Sequence, residues 1–370
     1  MNNIQNTDKH IIADVAERIE RLIADARAYV NRTVNITEVV TKYEIGRIIV
    51  EVVQEGEERA TYGKQLLKGV SEILTERFGD GWSVETLKKC RRFYQIYSVN
   101  QLESTLSAQF PIKDSVYTVD QIQKIAKQSS KPDATYPALS WSHYLILMRI
   151  ESNEERRFYE IETQKQNWSV RQLQRQYNSS LYERLALSKD KEAIMRLARE
   201  GQTINKPDDI IKNPLTLEFL GLKPDVSYSE TKLENAIIDK LQQFLLELGK
   251  GFLFEARQKR FTFDEENFYV DLVFYNRLLQ CYVLIDLKVG KLSHQDLGQM
   301  QMYVNYYDRY VKQDFEKPTI GILLCKEKKD ALVELTLPKE SNIYAQQYAL
   351  YLPDKQLLQA KLKEWIEEQD

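Results

Sequence analysis

Two strand-like runs separated by a short polar gap constrain this chain more than any other part of it. Phe268-Tyr269-Val270-Asp271-Leu272-Val273-Phe274-Tyr275 and Cys281-Tyr282-Val283-Leu284-Ile285-Asp286-Leu287-Lys288-Val289 are both aromatic and β-branched, the residue types that suit a pleated strand. A turn centred between Leu278 and Leu279 pairs Asn276 with Cys281 and therefore sets Asp271 opposite Asp286. Alternation along the strand puts Asp286 and Lys288 on one face. Val283, Leu284, Ile285, Leu287 and Val289 make the second run apolar on both faces, which predicts a covered, central strand. Two carboxylates directly opposed on neighbouring strands repel. A divalent cation relieves that repulsion, and oxygen donors suit Mg²⁺ or Mn²⁺. The competing reading, a surface hairpin with scattered charges, fits poorly with a second strand so apolar.

Other polar residues are placed to face this pair. Leu233–Leu248 has helical periodicity and ends at Gly249 and Gly251. Glu234 falls in register with Ile238, Leu241 and Leu245, on the stripe that should face the core. A carboxylate there needs a partner or a metal, unless it reaches water from the stripe's edge. Downstream, the helix around Asp296–Val311 carries Gln299 and Tyr303 one turn apart, with Tyr306 and Tyr310 on the same face. Leu297, Met300, Val304 and Tyr307 form the face expected to pack on a sheet.

The order helix-Glu234, strand-Asp271, strand-Asp286-x-Lys288, helix-Gln299-x-x-x-Tyr303 resembles the PD-(D/E)-x-K nuclease superfamily, and the Gln-x-x-x-Tyr element resembles its RecB-like branch. More closely, the stretch from about Glu230 to Pro353 resembles the nuclease domain of the YhcG-like bacterial family. The phrases carrying this are Arg257-Gln258-Lys259-Arg260, Phe268-Tyr269-Val270-Asp271-Leu272, Ile285-Asp286-Leu287-Lys288-Val289-Gly290 and Gly298-Gln299-Met300-Gln301-Met302-Tyr303. The N-terminal half is similar to that family's helical domain. Where relatives often have Glu, this chain has Asp286, a shorter ligand that the superfamily also uses. The resemblance implies a helix, three-stranded meander, helix and further strand, the last over Thr319–Cys325. It implies metal-dependent phosphodiester cleavage, with Asp271, Asp286 and the Leu287 carbonyl binding Mg²⁺ (or Mn²⁺) and Glu234 holding a metal-bound water or second ion. By the same resemblance Lys288 orients or deprotonates the attacking water and neutralises the phosphate, and Gln299 and Tyr303 position the backbone. A lysine beside two carboxylates stays protonated unless buried, which favours charge stabilisation over the role of base.

The formal net charge is −3, so a nucleic-acid protein of this composition must concentrate positive charge locally. Two segments do: Gly81–Asn100, with Lys88, Lys89, Arg91 and Arg92 against Glu85, and Gln164–Tyr177, with Lys165, Arg171 and Arg175 and no acid. Arg257, Lys259 and Arg260 make a third basic spot beside the aspartates. With His10, His143 and His294 as the only histidines, a histidine-centred site or triad is not expected. Cys90, Cys281 and Cys325 lack metal-ligand spacing and read as reduced, buried residues of a cytoplasmic protein. No apolar run is long enough to span a membrane, and Met1–Asp8 does not read as a signal peptide.

The chain thus reads as an α+β multidomain protein: an all-helical N-terminal half, then a PD-(D/E)-x-K (restriction-endonuclease-like) α/β domain. The helical region covers residues 1–205 with a joint near 129–133, an arm follows over 206–227, and the nuclease-like domain covers 228–370, ending in an amphipathic helix from Lys355 to Glu368. Leu215, Leu217, Phe219, Leu220 and Leu222 predict a packed arm rather than a tether, despite Pro207, Pro214 and Pro224. Trp82-Ser83-Val84-Glu85-Thr86-Leu87-Lys88-Lys89 is echoed by Trp168-Ser169-Val170-Arg171-Gln172-Leu173-Gln174-Arg175, each with a serine placed to cap a basic helix. That is the outline of two helix-turn-helix units, or of two ordinary helical hairpins anchored by tryptophan. The leading expectation is an Mg²⁺-dependent nuclease acting on nucleic acid, DNA before RNA, whose helical part binds DNA or forms a homo-oligomer. A catalytically silent nuclease fold used for binding or scaffolding, and a helix-turn-helix regulator, stand as alternatives.

Overall fold

The computed structural model describes residues 2–55, 60–97, 139–187, 191–212, 214–223, 228–327, 330–338 and 341–367. The joint expected near 129–133 lies outside them. Contacts divide the chain into two compact units, residues 1–156 and 157–370. Among the described residues no helix is long and apolar enough to cross a membrane.

The first unit is helical. Its long α1 (Asn2–Glu55) is followed by α2 (Ala60–Phe78), α3 (Val84–Tyr97) and α4 (Trp141–Leu147). The Ser83 hydroxyl accepts the Thr86 N–H at 3.3 Å, as the sequence predicts for the start of α3. Phe93 of α3 is fully buried and centres an aromatic cluster with Tyr43, Tyr97, Trp141 and Tyr144, ring centroids 4.9–6.0 Å away. Helices α1 and α3 cross closely at Gly46, where a Cβ would stand 2.2 Å from the Cys90 carbonyl oxygen.

The second unit begins within α5 (Asn153–Gln166) and continues through α6 (Val170–Asn178), α7 (Leu181–Ala186) and α8 (Lys191–Glu200). A six-stranded sheet follows, in the order β1-β6-β5-β4-β3-β2. The strands are β1 (Leu215–Thr216), β2 (Phe252–Phe263), β3 (Glu266–Asn276), β4 (Cys281–Lys291), β5 (Ile320–Glu327) and β6 (Ile343–Ala349). β2, β3 and β4 form an antiparallel meander, and β4, β5, β6 and β1 run parallel. Helices α9 (Glu230–Asp239) and α10 (Leu241–Leu248) precede β2, α11 (His294–Tyr306) joins β4 to β5, α12 (Asp330–Thr336) joins β5 to β6, and α13 (Lys355–Glu367) ends the described chain. This is an α+β protein with a helical N-terminal half.

The β3–β4 register has Asn276 opposite Cys281 and Leu272 opposite Ile285, as the turn position predicts. Asn276 fixes that turn by accepting the Leu278 and Leu279 N–H groups on Oδ1. β4 is central and covered on both faces. Val283, Ile285 and Leu287 join the core that holds Leu233, Ile237 and Phe244 of α9 and α10. Leu284 joins the opposite core, with Leu297, Met300 and Val304 of α11. Gly321 of β5 lets α11 lie close, since a Cβ there would meet Met300 and Val304 side-chain atoms at 2.7–2.9 Å.

Two features depart from expectation. The single helix read over Leu233–Leu248 is interrupted at Lys240, so α9 and α10 are separate. The arm contributes a strand of its own, with Leu215 and Leu217 buried. Helices α6–α8 lie in the second unit with the sheet. Long-range ion pairs tie α5, α6 and α7 to the residues in and after α10: Glu162 to Lys250 at 2.8 Å, and Arg175 and Arg184 to Glu247 at 2.8 and 2.6 Å.

Candidate active site

The antiparallel ladder between β3 and β4 ends at Leu272↔Ile285. One position further stand Asp271 and Asp286, and there side-chain chemistry replaces backbone pairing. The Asp271 Oδ2 accepts the Leu287 N–H at 2.8 Å. Asp286 is 4% exposed. Burial first, and the Asp271 carboxylate second, push its carboxyl up from 3.8 to about 7.

Lys288 shares the face of Asp286, its Nζ 2.9 Å from Asp286 Oδ2, 3.7 Å from Asp296 Oδ1 and 4.0 Å from Glu230 Oε2. Burial pulls the ammonium down, but the surrounding carboxylates outweigh it and hold Lys288 above its ordinary value. It therefore carries charge at neutral pH. Asp296 is fixed as a partner by the capping box of α11, where the Ser293 hydroxyl donates to Asp296 Oδ2 at 2.7 Å.

Glu234 enters from the first turns of α9 and is buried on the stripe, as expected. Its oxygens accept Arg257 Nε at 2.5 Å and Gln258 Nε2 at 2.8 Å. Gln258 also donates to Asp271 Oδ1 at 2.9 Å, so one amide bridges two carboxylates from different elements. The backbone of Gln258 has φ +47° within a strand, a conformation costly for a residue with a Cβ and characteristic of functional positions. In sequence, Arg257 reads as part of a basic spot and Gln258 only as part of a motif phrase. No periodicity marks a single left-handed residue in a strand.

On α11, Gln299 donates to the Tyr303 hydroxyl. Tyr303 is buried and its phenol is raised, by burial first and then by Asp286 and Asp271. Asp271, Asp286, Lys288, Glu234 and the Gln299–Tyr303 pair thus belong to one constellation at the end of the β3–β4 ladder. Among the described residues no group of three or more Asp, Glu, His or Cys side chains is already drawn together as a metal cage. The opposed pair still fits a hard cation. Burial and the Asp271 carboxylate still outweigh Lys288 at Asp286, its donors are oxygens, and water readily completes the shell of such an ion.

The expected nucleic-acid contacts divide. Lys88, Lys89 and Arg92 are exposed on α3 and Arg91 is half-buried. Lys88 stands 3.9 Å from Glu85. Lys259 is exposed beside Glu255 at 3.7 Å, and Arg257 is spent on Glu234. Arg171 is exposed, while Lys165 donates to the Glu200 carbonyl at 2.7 Å. Arg175 is a correction. It turns inward onto Glu218 at 3.0 Å and Glu247 at 2.8 Å, so the segment that lacks acids in sequence receives two from elsewhere in the fold.

Gln258 yields a direct test. Gln258→Ala removes the shared amide from Glu234 and Asp271, and is expected to weaken divalent-ion binding by about 10–100-fold, as loss of a ligand-orienting partner does. Isothermal titration with Mn²⁺ measures it. Unchanged affinity would leave Gln258 with a purely structural part.

Residues 208–363 match the family model described as the YhcG PDDEXK nuclease domain, and residues 18–184 match the DUF1016 N-terminal domain. The chain is 38% identical over 353 residues to the Escherichia coli (strain K12) protein named "Putative nuclease YhcG", covering 94% of this chain and 92% of that one. Among solved structures, a repair endonuclease from Pyrococcus abyssi is similar at 18% identity and TM-score 0.23, over 36% of this chain and 50% of that one. An EndoMS–dsDNA2 complex is similar at 16% identity and TM-score 0.24, over 36% and 49%.

Proposed function

Because the chain belongs to the YhcG family of PDDEXK nucleases, we propose that it is a divalent-metal-dependent nuclease cleaving phosphodiester bonds in DNA. The observation that carries the reading is the buried Asp286 opposite Asp271, with Lys288 protonated between Asp286 and Asp296. Asp271, Asp286 and the Leu287 carbonyl would hold Mg²⁺ or Mn²⁺, and Glu234 a bound water or second ion. Such an ion, when bound, supplies Lewis-acid polarisation of the phosphate and an acidified water. The residues of the chain do the rest. Lys288 brings positive charge to a phosphoryl group gaining negative charge, and because it stays protonated it acts electrostatically rather than as a base. Gln299 and Tyr303 offer neutral donors to a phosphate oxygen, and Arg257 and Gln258 hold Glu234 and Asp271 in place. Exposed Lys88, Lys89, Arg92, Arg171 and Lys259 are the proposed backbone contacts, and the helical residues ahead of the sheet are a DNA-binding or homo-oligomerising part of a cytoplasmic enzyme.

The test incubates the full chain with end-labelled duplex, single-stranded DNA and RNA in EDTA, Mg²⁺, Mn²⁺ or Ca²⁺. Cleavage of DNA in Mg²⁺ or Mn²⁺, with binding and little turnover in Ca²⁺, is expected. Metal-independent binding without cleavage in any ion would instead identify a silent nuclease fold, and sequence-selective binding alone a regulator.

A further inference from the structure

The strand that carries Gln258 continues past the site into a surface groove that none of the proposed catalytic roles uses. It lies between the end of β2 and the outer face of α11 with the turn that follows it, has a volume of about 310 Å³, and is lined by Phe261, Phe263, Met302, Tyr306, Arg309 and Tyr310 among others. Its floor is closed: the Phe261 and Tyr306 rings stack at 4.0 Å with 20° between their planes. Phe261 also meets Tyr303 edge to face at 5.5 Å, so the floor touches the proposed phosphate-positioning helix directly. The upper layer is open. Phe263 and Tyr310 are 50% and 61% exposed, their ring centroids stand 6.3 Å apart, and their planes are tilted by 37°.

Two adjacent exposed rings over an aromatic floor form a contiguous apolar patch of the kind that marks a binding surface. A planar base stacked on both faces needs roughly two rises of about 3.4 Å, a little more than the 6.3 Å between these centroids, so the two exposed side chains would swing apart to admit it. The charges point the same way. Arg309 is exposed at the rim, and Lys259 is exposed on β2 two positions before Phe261. Asp264 and Glu265, in the turn beyond Phe263, bound the groove at its far end and leave the β2 side as the approach for a phosphate backbone. We infer that Phe263 and Tyr310 form a clamp for one unpaired nucleobase of the substrate strand, stacked above the Phe261–Tyr306 floor next to the cleavage site. The inference rests on the nuclease reading and adds a preference to it: substrates with an unpaired base beside the cleaved bond bind better than fully paired ones. Base stacking on aromatic rings is tolerant of base identity, so the preference is for structure rather than sequence.

The experiment uses the full chain in Ca²⁺, where binding is read without appreciable cleavage. The probes are a blunt duplex and the same duplex with a single-stranded overhang containing 2-aminopurine, whose fluorescence is quenched by stacking. Quenching on the overhang is expected with the unmodified protein. Phe263→Ala/Tyr310→Ala should abolish the quenching and weaken overhang binding by about 5- to 150-fold, the range for one stacked base, with blunt-duplex affinity unchanged. Phe263→Trp, which keeps an aromatic ring beside Tyr310, should retain the quenching. Circular dichroism confirms folding, which two exposed rings do not control. Equal quenching and affinity in the double variant would overturn the clamp while leaving the nuclease reading intact. A parallel loss on both probes, with a shift in size-exclusion elution, would overturn it in favour of an interface between copies. Failure of the unmodified protein to bind either probe would overturn both readings.

Discussion

Asp286→Asn is expected to abolish metal-supported cleavage and, in the metal-free protein above pH 7, to raise the melting temperature. The loss of activity follows from removing one of the two opposed oxygen ligands. Metal-assisted stabilisation of a phosphoryl transition state amounts to several kcal/mol, so a fall of about a thousandfold or more is the scale to look for. The gain in stability follows from the proton. Folding raises the Asp286 carboxyl from 3.8 to about 7, through burial and then the charge of Asp271. Across that window the folded state holds more proton than the unfolded state, so stability falls as pH rises through it, and the full cost is present above about 7. Asparagine carries no such charge. The difference in melting temperature between variant and parent should therefore grow from near pH 4 to near pH 7 and then level off, at about 2–4 °C per kcal/mol for a unit of this size. Lys288→Ala should match it in activity but not in this pH-dependent gain. Thermal scans in EDTA across the window decide the matter. A lower melting temperature for Asp286→Asn at every pH would make Asp286 a structural residue and remove the case for a cation beside Asp271.

The sequence exposed what local periodicity and short-range closure can carry. The pairing of Asn276 with Cys281 follows from a turn only a few residues long, and with it the placement of Asp271, Asp286 and Lys288. The covering of β4 follows from its apolar run, and the inward face of α11 from Leu297, Met300 and Val304. What stayed hidden depends on partners far away in sequence. β1 is two residues long, in a proline-flanked arm, and exists because β6 lies beside it with Leu215 opposite Tyr348. β6 itself, Ile-Tyr-Ala-Gln-Gln-Tyr-Ala, buries Gln346, which donates to the Lys212 carbonyl; a buried amide breaks the alternation that would have marked a strand. Gln258 became visible only as a backbone angle and a shared amide. The inward turn of Arg175 is not legible in its own acid-free segment, because its carboxylates arrive from Glu218 and Glu247, far along the chain.

That same cluster gives the largest expected effect on stability. Glu247 of α10 is fully buried and accepts Arg184 at 2.6 Å, Arg175 at 2.8 Å and the Thr216 N–H at 2.9 Å. Its backbone carbonyl accepts the ammonium of Lys212, which burial pulls down to about 8. Burial opposes the Glu247 charge, but Arg184, Arg175 and Lys212 outweigh it and hold the carboxyl at about 2. Among the described residues, Glu247→Ala would leave the buried Arg184 with no carboxylate partner and Arg175 with only Glu218, and such uncompensated burial costs about 3–5 kcal/mol. Urea unfolding should show a midpoint lowered with little change in slope. The pH dependence distinguishes charge from packing. Because folding depresses this carboxyl below its ordinary 4.5, its contribution is present above that value and is lost as pH falls towards 2. Glu247→Gln, which keeps the shape, should lack that acid-side loss and lie closest to the parent protein at the lowest pH. A cost under about 1 kcal/mol for Glu247→Ala, or parallel acid profiles for parent and Glu247→Gln, would mean that packing rather than this buried charge joins α6, α7 and the arm to the sheet.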